Sequence, residues 1–174
     1  MYIELSDILS VTNKELDIPA SIEMNRFVSK TDDYEIISKS PFTVHLKNTG
    51  KKKLSISFET VVSLNIPCSR CLADVRNDIH IEVNKIIDMN ESDHEEIDLD
   101  EQSFIEGKEL NLEMLIYKEI LVNLPMKVLC SENCKGICNR CGANLNIQSC
   151  DCDRTELDPR MSRIKDIFNN FKEV

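Results

Sequence analysis

The sequence predicts an α+β fold: a mainly antiparallel sheet or partial barrel with a few helices, and a cysteine-rich module near the C-terminus. Three observations carry this. Three successive stretches alternate apolar with polar residues, as strands with one buried face do. Two further stretches carry apolar residues at helical spacing. Six of the eight cysteines lie between Cys130 and Cys152. At 174 residues the chain suits one ordinary domain, or one domain with a small metal-organised appendage. Hydrophobic residues at 41% and charged residues at 30% make a globular composition, and the absence of Trp argues against a large aromatic binding surface.

Taken in order, the N-terminal part carries Ile3, Leu5, Ile8 and Leu9, then Ile18 to Met24; it is weakly patterned and is expected to add edge strands. Phe42, Val44 and Leu46 alternate with polar neighbours, and Asn48-Thr49-Gly50-Lys51 supplies turn chemistry. The clearest strand follows, from Leu54 through Ile56 and Phe58 to Val62, Leu64 and Ile66. Val75, Ile79, Ile81 and Val83 open a third alternating run that leads to Ile87, completing an antiparallel meander. From Asp88 to Glu101 there are eight acids and no Lys or Arg, which reads as a solvated linker over 88–103. It lacks the spaced ligands and central Gly of a calcium loop. Asn111 caps a helix over about 111–123, with Glu113 in its first turn, and Leu124-Pro125 ends it. Asp158-Pro159 opens a final helix whose Met161, Ile164, Ile167, Phe168 and Phe171 read as a core-facing stripe. The expected organisation is a sheet domain over 1–126 and a cysteine-rich module with its helix over 127–174, packed on the sheet domain.

With 31 acids against 21 bases the formal charge is −10. Phosphate backbones are bound mainly through Lys and Arg, so naked nucleic acid matches the surface as a whole poorly. A basic protein surface matches it better. The start, Met1-Tyr2-Ile3-Glu4, lacks the basic region of a secretory signal, and the apolar stretches near Met114 to Tyr117 and Ile120 to Val122 are broken by Lys118, Glu119 and Asn123. The expected location is cytoplasmic, with no membrane partner. A reducing compartment disfavours disulfide frameworks, so the cysteines read as metal ligands.

Paired thiolates two or three residues apart chelate a tetrahedral ion, and Zn²⁺ is the usual one. Cys138-Asn139-Arg140-Cys141-Gly142 has the zinc-knuckle pattern, in which Gly accepts the positive φ of the turn. Cys150 and Cys152 supply the other pair, although Cys134 could replace one member. Cys68, Cys71, Cys130 and Cys134 are left for a second site, giving one or two structural zinc ions. Closing the 58 residues between Cys71 and Cys130 costs about 3–4 kcal/mol of loop entropy. A structural zinc contributes on the order of 10–16 kcal/mol, so distance along the chain is no objection.

Catalytic readings fare worse. Cys68-Ser69-Arg70-Cys71 has the spacing of a redox dithiol, but it lies between two alternating strands rather than at a helix start. His45, His80 and His94 are scattered, and nothing forms a triad, phosphate loop or paired-acid site. Lys51-Lys52-Lys53, the one compact basic run, could meet a phosphate or an acidic neighbour and is read first as solvated turn residues. The chain is therefore expected not to be an enzyme and to have no small-molecule substrate.

The combined pattern resembles the bacterial YceD-like family, named for large-subunit ribosomal RNA accumulation. The match rests on Cys68-Ser69-Arg70-Cys71-Leu72 after an alternating strand, on Leu124-Pro125, and on the run Cys130-x3-Cys134-Lys135-Gly136-Ile137-Cys138-x2-Cys141-Gly142-Ala143-Asn144-Leu145-Asn146. Cys150-x-Cys152 and Asp158-Pro159-Arg160 complete it. The resemblance implies a role in ribosomal RNA synthesis, processing or stability, and no reaction mechanism. Joined to the acidity, it gives the expectation of a non-enzymatic factor in large ribosomal subunit production. Its partner would be a basic ribosomal protein or assembly factor, with ribosomal RNA contacted directly or indirectly. A direct RNA- or DNA-binding zinc module and a thiol-disulfide oxidoreductase are the alternatives.

Overall fold

The computed structural model describes residues 1–89 and 104–152, with residues 161, 164 and 167. The chain divides into two compact units, one of residues 1–69 and 73–130, the other of residues 70–72 and 131–174.

The first unit is built on three long strands, β5 (Phe42–Gly50), β6 (Lys53–Pro67) and β7 (Asp74–Asp88), in the order their alternation predicts. β6 pairs with β7 along its whole length, from Lys53↔Asp88 to Pro67↔Asp74. Its other edge is shared: the N-terminal half pairs with β5, and the C-terminal half with β4 (Asp33–Lys39). β2 (Glu15–Ala20) extends the sheet beyond β5, and β3 (Arg26–Val28) beyond β4. Among the described residues the sheet is open and does not close into a barrel. Val44, Leu46, Leu54, Ile56, Val62, Leu64, Ile79, Ile81 and Val83 are buried, the sides that period two assigns to the core.

The N-terminal part supplies edge strands as expected, but to two sheets. β2 edges the large one, and β1 (Tyr2–Glu4) edges a separate three-stranded one with β9 (Glu109–Asn111) and β8 (Ile105–Glu106). A short helix, α1 (Ser6–Leu9), buries Ile8. Strands of two or three residues are too short to show a period. β4 was hidden for another reason: its register shifts between Ile36 and Ser38, so buried Ile36 is followed by half-exposed Ile37 and the alternation fails.

Helix α2 (Leu112–Asn123) starts where its cap predicts, with the Asn111 side chain accepting from the Met114 amide at 3.1 Å. It buries Leu112, Leu115, Ile116 and Ile120. Tyr117 stacks on Phe27 at 4.9 Å and donates its hydroxyl to the Val28 carbonyl, while Glu119 pairs with Lys85 of β7 at 3.0 Å.

The β5–β6 turn carries three consecutive residues at positive φ: Gly50 (85°), Lys51 (53°) and Lys52 (57°). Two-residue hairpin turns of this hand favour Asn-Gly, and an L side chain costs ~1–2 kcal/mol at each position. Asn48, itself buried, fixes the turn. Its side-chain NH₂ donates to the carbonyls of Ile8, Leu9 and Val11, and its oxygen accepts from the Gly50 amide at 2.9 Å.

In the second unit the described residues form loops joined by an isolated bridge, Ile137↔Asn144. Met161, Ile164 and Ile167 are helical, yet 52%, 47% and 55% exposed. The expected core-facing stripe is therefore not met at these positions: among the described residues this unit offers no sheet face for a helix to cover. Phe168, Phe171 and residues 90–103 of the expected linker lie outside the described residues, while Asp88, expected to open that linker, instead ends β7 opposite Lys53. No helix among the described residues is long and apolar enough to cross a membrane.

Candidate metal centre

The eight cysteines, none of them in a disulfide, gather into two groups of four: Cys68, Cys71, Cys130 and Cys134, and Cys138, Cys141, Cys150 and Cys152. Within each group the sulfurs all lie within 4.8 Å of one another. Tetrahedral Zn²⁺ with Zn–S near 2.3 Å sets sulfurs about 3.8 Å apart, so both groups fit one four-coordinate ion with small adjustment. Spacing alone also allows Cys134 in the second group; its sulfur lies in the first.

The two C-x-x-C turns are built alike. In the second group the Cys138 amide donates to the Ala143 carbonyl at 2.8 Å, and Gly142 follows Cys141 with φ 72°. In the first, the Cys68 amide donates to the Ala73 carbonyl at 2.8 Å, and Leu72 follows Cys71 with φ 60°. Both stretches read Cys-x-Arg-Cys-x-Ala, a repeat masked in the sequence by Leu72, which stands where the pattern calls for Gly.

Neighbouring dipoles favour thiolates. The backbone N–H groups of Cys141 and Arg140 aim at the Cys138 sulfur and lower its pKa to about 6. The proximity of Cys141, reinforced by burial and by Cys138, pushes the Cys152 thiol up to about 12. Four sulfurs this close cannot all ionise without a cation among them, and a divalent ion supplies what is missing.

Outer contacts orient the first group. The Cys130 amide donates to the Cys68 sulfur, and the Asn146 side-chain NH₂ to the Cys134 sulfur, each at 3.3 Å. Asn146 is itself held by the Lys135 amide at 2.7 Å, and the Arg70 guanidinium donates to the Cys134 carbonyl at 2.9 Å. The role of Asn146 is not legible in the sequence, since a sulfur-orienting amide has no spacing rule to reveal it. His45 and His80 sit exposed on the sheet, with His45 paired to Asp17 at 2.7 Å.

Fold and site together define an α+β protein with an antiparallel sheet and two four-cysteine groups able to hold metal ions. The YceD family model, described as large ribosomal RNA subunit accumulation protein YceD, matches residues 55–168, and the chain belongs to that family. It is 24% identical over 163 residues to the uncharacterized protein YlbN of Bacillus subtilis, covering 92% of each chain. It is 40% identical over 53 residues to a chloroplastic protein of Arabidopsis thaliana named large ribosomal RNA subunit accumulation protein YCED homolog 1, covering 30% of this chain and 16% of that one. An uncharacterized protein of Mycobacterium tuberculosis is 25% identical over 102 residues, which make up 58% of this chain and 49% of that one. No solved structure matches.

Proposed function

We propose that the chain is a non-enzymatic cytoplasmic factor in large ribosomal subunit production, and that each cysteine group holds one structural zinc. The observation that carries this reading is the closure of all eight cysteines into two four-sulfur groups. A four-thiolate set fills the coordination sphere and leaves no open position for a water or a substrate, which is the mark of a structural rather than a catalytic ion. The family name supplies the process: accumulation of large-subunit ribosomal RNA.

The partner is a basic ribosomal protein or assembly factor. The chain carries −10 before metal is counted, and each four-thiolate zinc adds about −2, which favours a cationic partner over a phosphate backbone. Thiol-disulfide exchange fits less well, because Cys68 and Cys71 lie in the turn between β6 and β7 rather than at a helix N-terminus. Affinity capture of the zinc-loaded protein, with identification of captured protein and RNA, tests the partner. A basic ribosomal protein or assembly factor recovered after nuclease treatment is the expected result. Ribosomal RNA that stays bound after all captured protein is removed would contradict it.

A further inference from the structure

Away from the cysteines, the first unit holds a cavity of about 650 Å³ lined by Ser6, Leu9, Ser10, Lys52, Met89, Gly107 and Lys108. Its size is that of a small-ligand site. Among the described residues the ammonium groups of Lys52 and Lys108 have no ion-pair or hydrogen-bond partner, in a chain where acids outnumber bases 31 to 21. Among the described residues the Ser6 hydroxyl also has no partner, whereas the Ser10 hydroxyl donates to the Asp7 carbonyl at 2.7 Å. No carboxylate stands among the described lining residues.

The cavity walls are fixed to one another. The Met89 amide donates to the Lys52 carbonyl at 2.9 Å, and the Leu5 amide to the Lys108 carbonyl at 2.8 Å. Asn48 ties the end of α1 to the β5–β6 turn. Lys52 is moreover held at φ 57°, where Gly would be at ease, so its side chain is kept at a conformational cost.

We propose that this cavity binds the phosphomonoester of a nucleotide. A terminal phosphate carries −1.5 to −2 at neutral pH, which two lysines match, whereas an internal phosphodiester carries only about −1. Lys52 and Lys108 neutralise the dianion, Ser6 donates to a phosphate oxygen, and Leu9 and Met89 lie against the rest of the ligand. No phosphate-loop motif announces this site; the lysine run at the turn does. It is independent of the zinc reading.

Calorimetric titration of the zinc-loaded protein tests it, with nucleoside monophosphates and with 5′-phosphorylated and 5′-hydroxyl RNA tetramers as probes. Saturable binding of a phosphorylated probe is expected, at least tenfold tighter than binding of its hydroxyl counterpart. Nucleoside monophosphates that bind as tightly as phosphorylated RNA would identify a free nucleotide as the ligand; RNA binding at least tenfold tighter would identify an RNA 5′ end, and either supports the site. Lys108→Ala and Lys52→Gly should each weaken binding at least tenfold, and Lys30→Ala should not. Because Lys52→Gly relieves strain, its Tm should equal or exceed the parent's, which separates lost binding from lost folding. Equal binding of phosphorylated and hydroxyl RNA, no saturable binding, or unchanged affinity in both lysine variants would overturn the proposal.

Discussion

Leu72 and Gly136 show how single backbone angles decide stability around the cysteines. Leu72 turns at φ 60° and is 64% exposed, so little packing offsets the ~1–2 kcal/mol cost of that conformation for an L side chain. Leu72→Gly should stabilise the protein by roughly 0.5–1 kcal/mol, after the added flexibility of Gly is deducted, and shift the urea midpoint upward. Gly136 is the reverse case: φ is 78°, and a Cβ there would meet the Arg70 carbonyl oxygen at 3.0 Å. Gly136→Ala should cost about 2–4 kcal/mol and speed zinc loss to a chelator. Gly107→Ala, with φ 65° and open space around it, should cost only about 1 kcal/mol. At this scale the sequence revealed the turn at Gly142 because Gly marks it. The matching turn at Leu72 and the amide of Asn146 were hidden, since neither residue type signals its task.

Elements were legible wherever alternation ran unbroken. β5, β6 and β7 keep period two because each has one face on the core, and α2 declares itself by its Asn111 cap and its Leu124-Pro125 stop. β4 was lost to its bulge, and β1, β8, β9 and α1 to their brevity. Two apolar residues of neighbouring strands give a direct check on this account. Leu64, fully buried where β6 pairs with both β4 and β7, should lose about 3 kcal/mol on Leu64→Ala, within the usual range for buried leucines. Ile37, half exposed at the bulge itself, should lose under about 0.5 kcal/mol on Ile37→Ala. Chemical denaturation of the two variants measures both, and equal losses would show that the bulge does not turn Ile37 outward.

At the scale of the whole molecule, charge and cysteine chemistry act together. Placing four sulfurs within 4.8 Å twice over, in a chain already at −10, concentrates negative charge that only cations can neutralise. The grouping followed from chelate spacing for Cys138 with Cys141 and for Cys150 with Cys152. For Cys68, Cys71, Cys130 and Cys134 it followed only by remainder, because no local pattern links residues so far apart. Metal removal should therefore be costly: chelation at neutral pH should lower the thermal midpoint sharply, and re-addition of Zn²⁺ should restore it. The most direct test is the zinc content of protein purified under reductant, read by native mass spectrometry beside Cys68→Ser and Cys150→Ser. Two ions per chain, falling to one in each variant, is the predicted result; a chain that carries fewer than two, or keeps two when Cys68 is replaced, would contradict it.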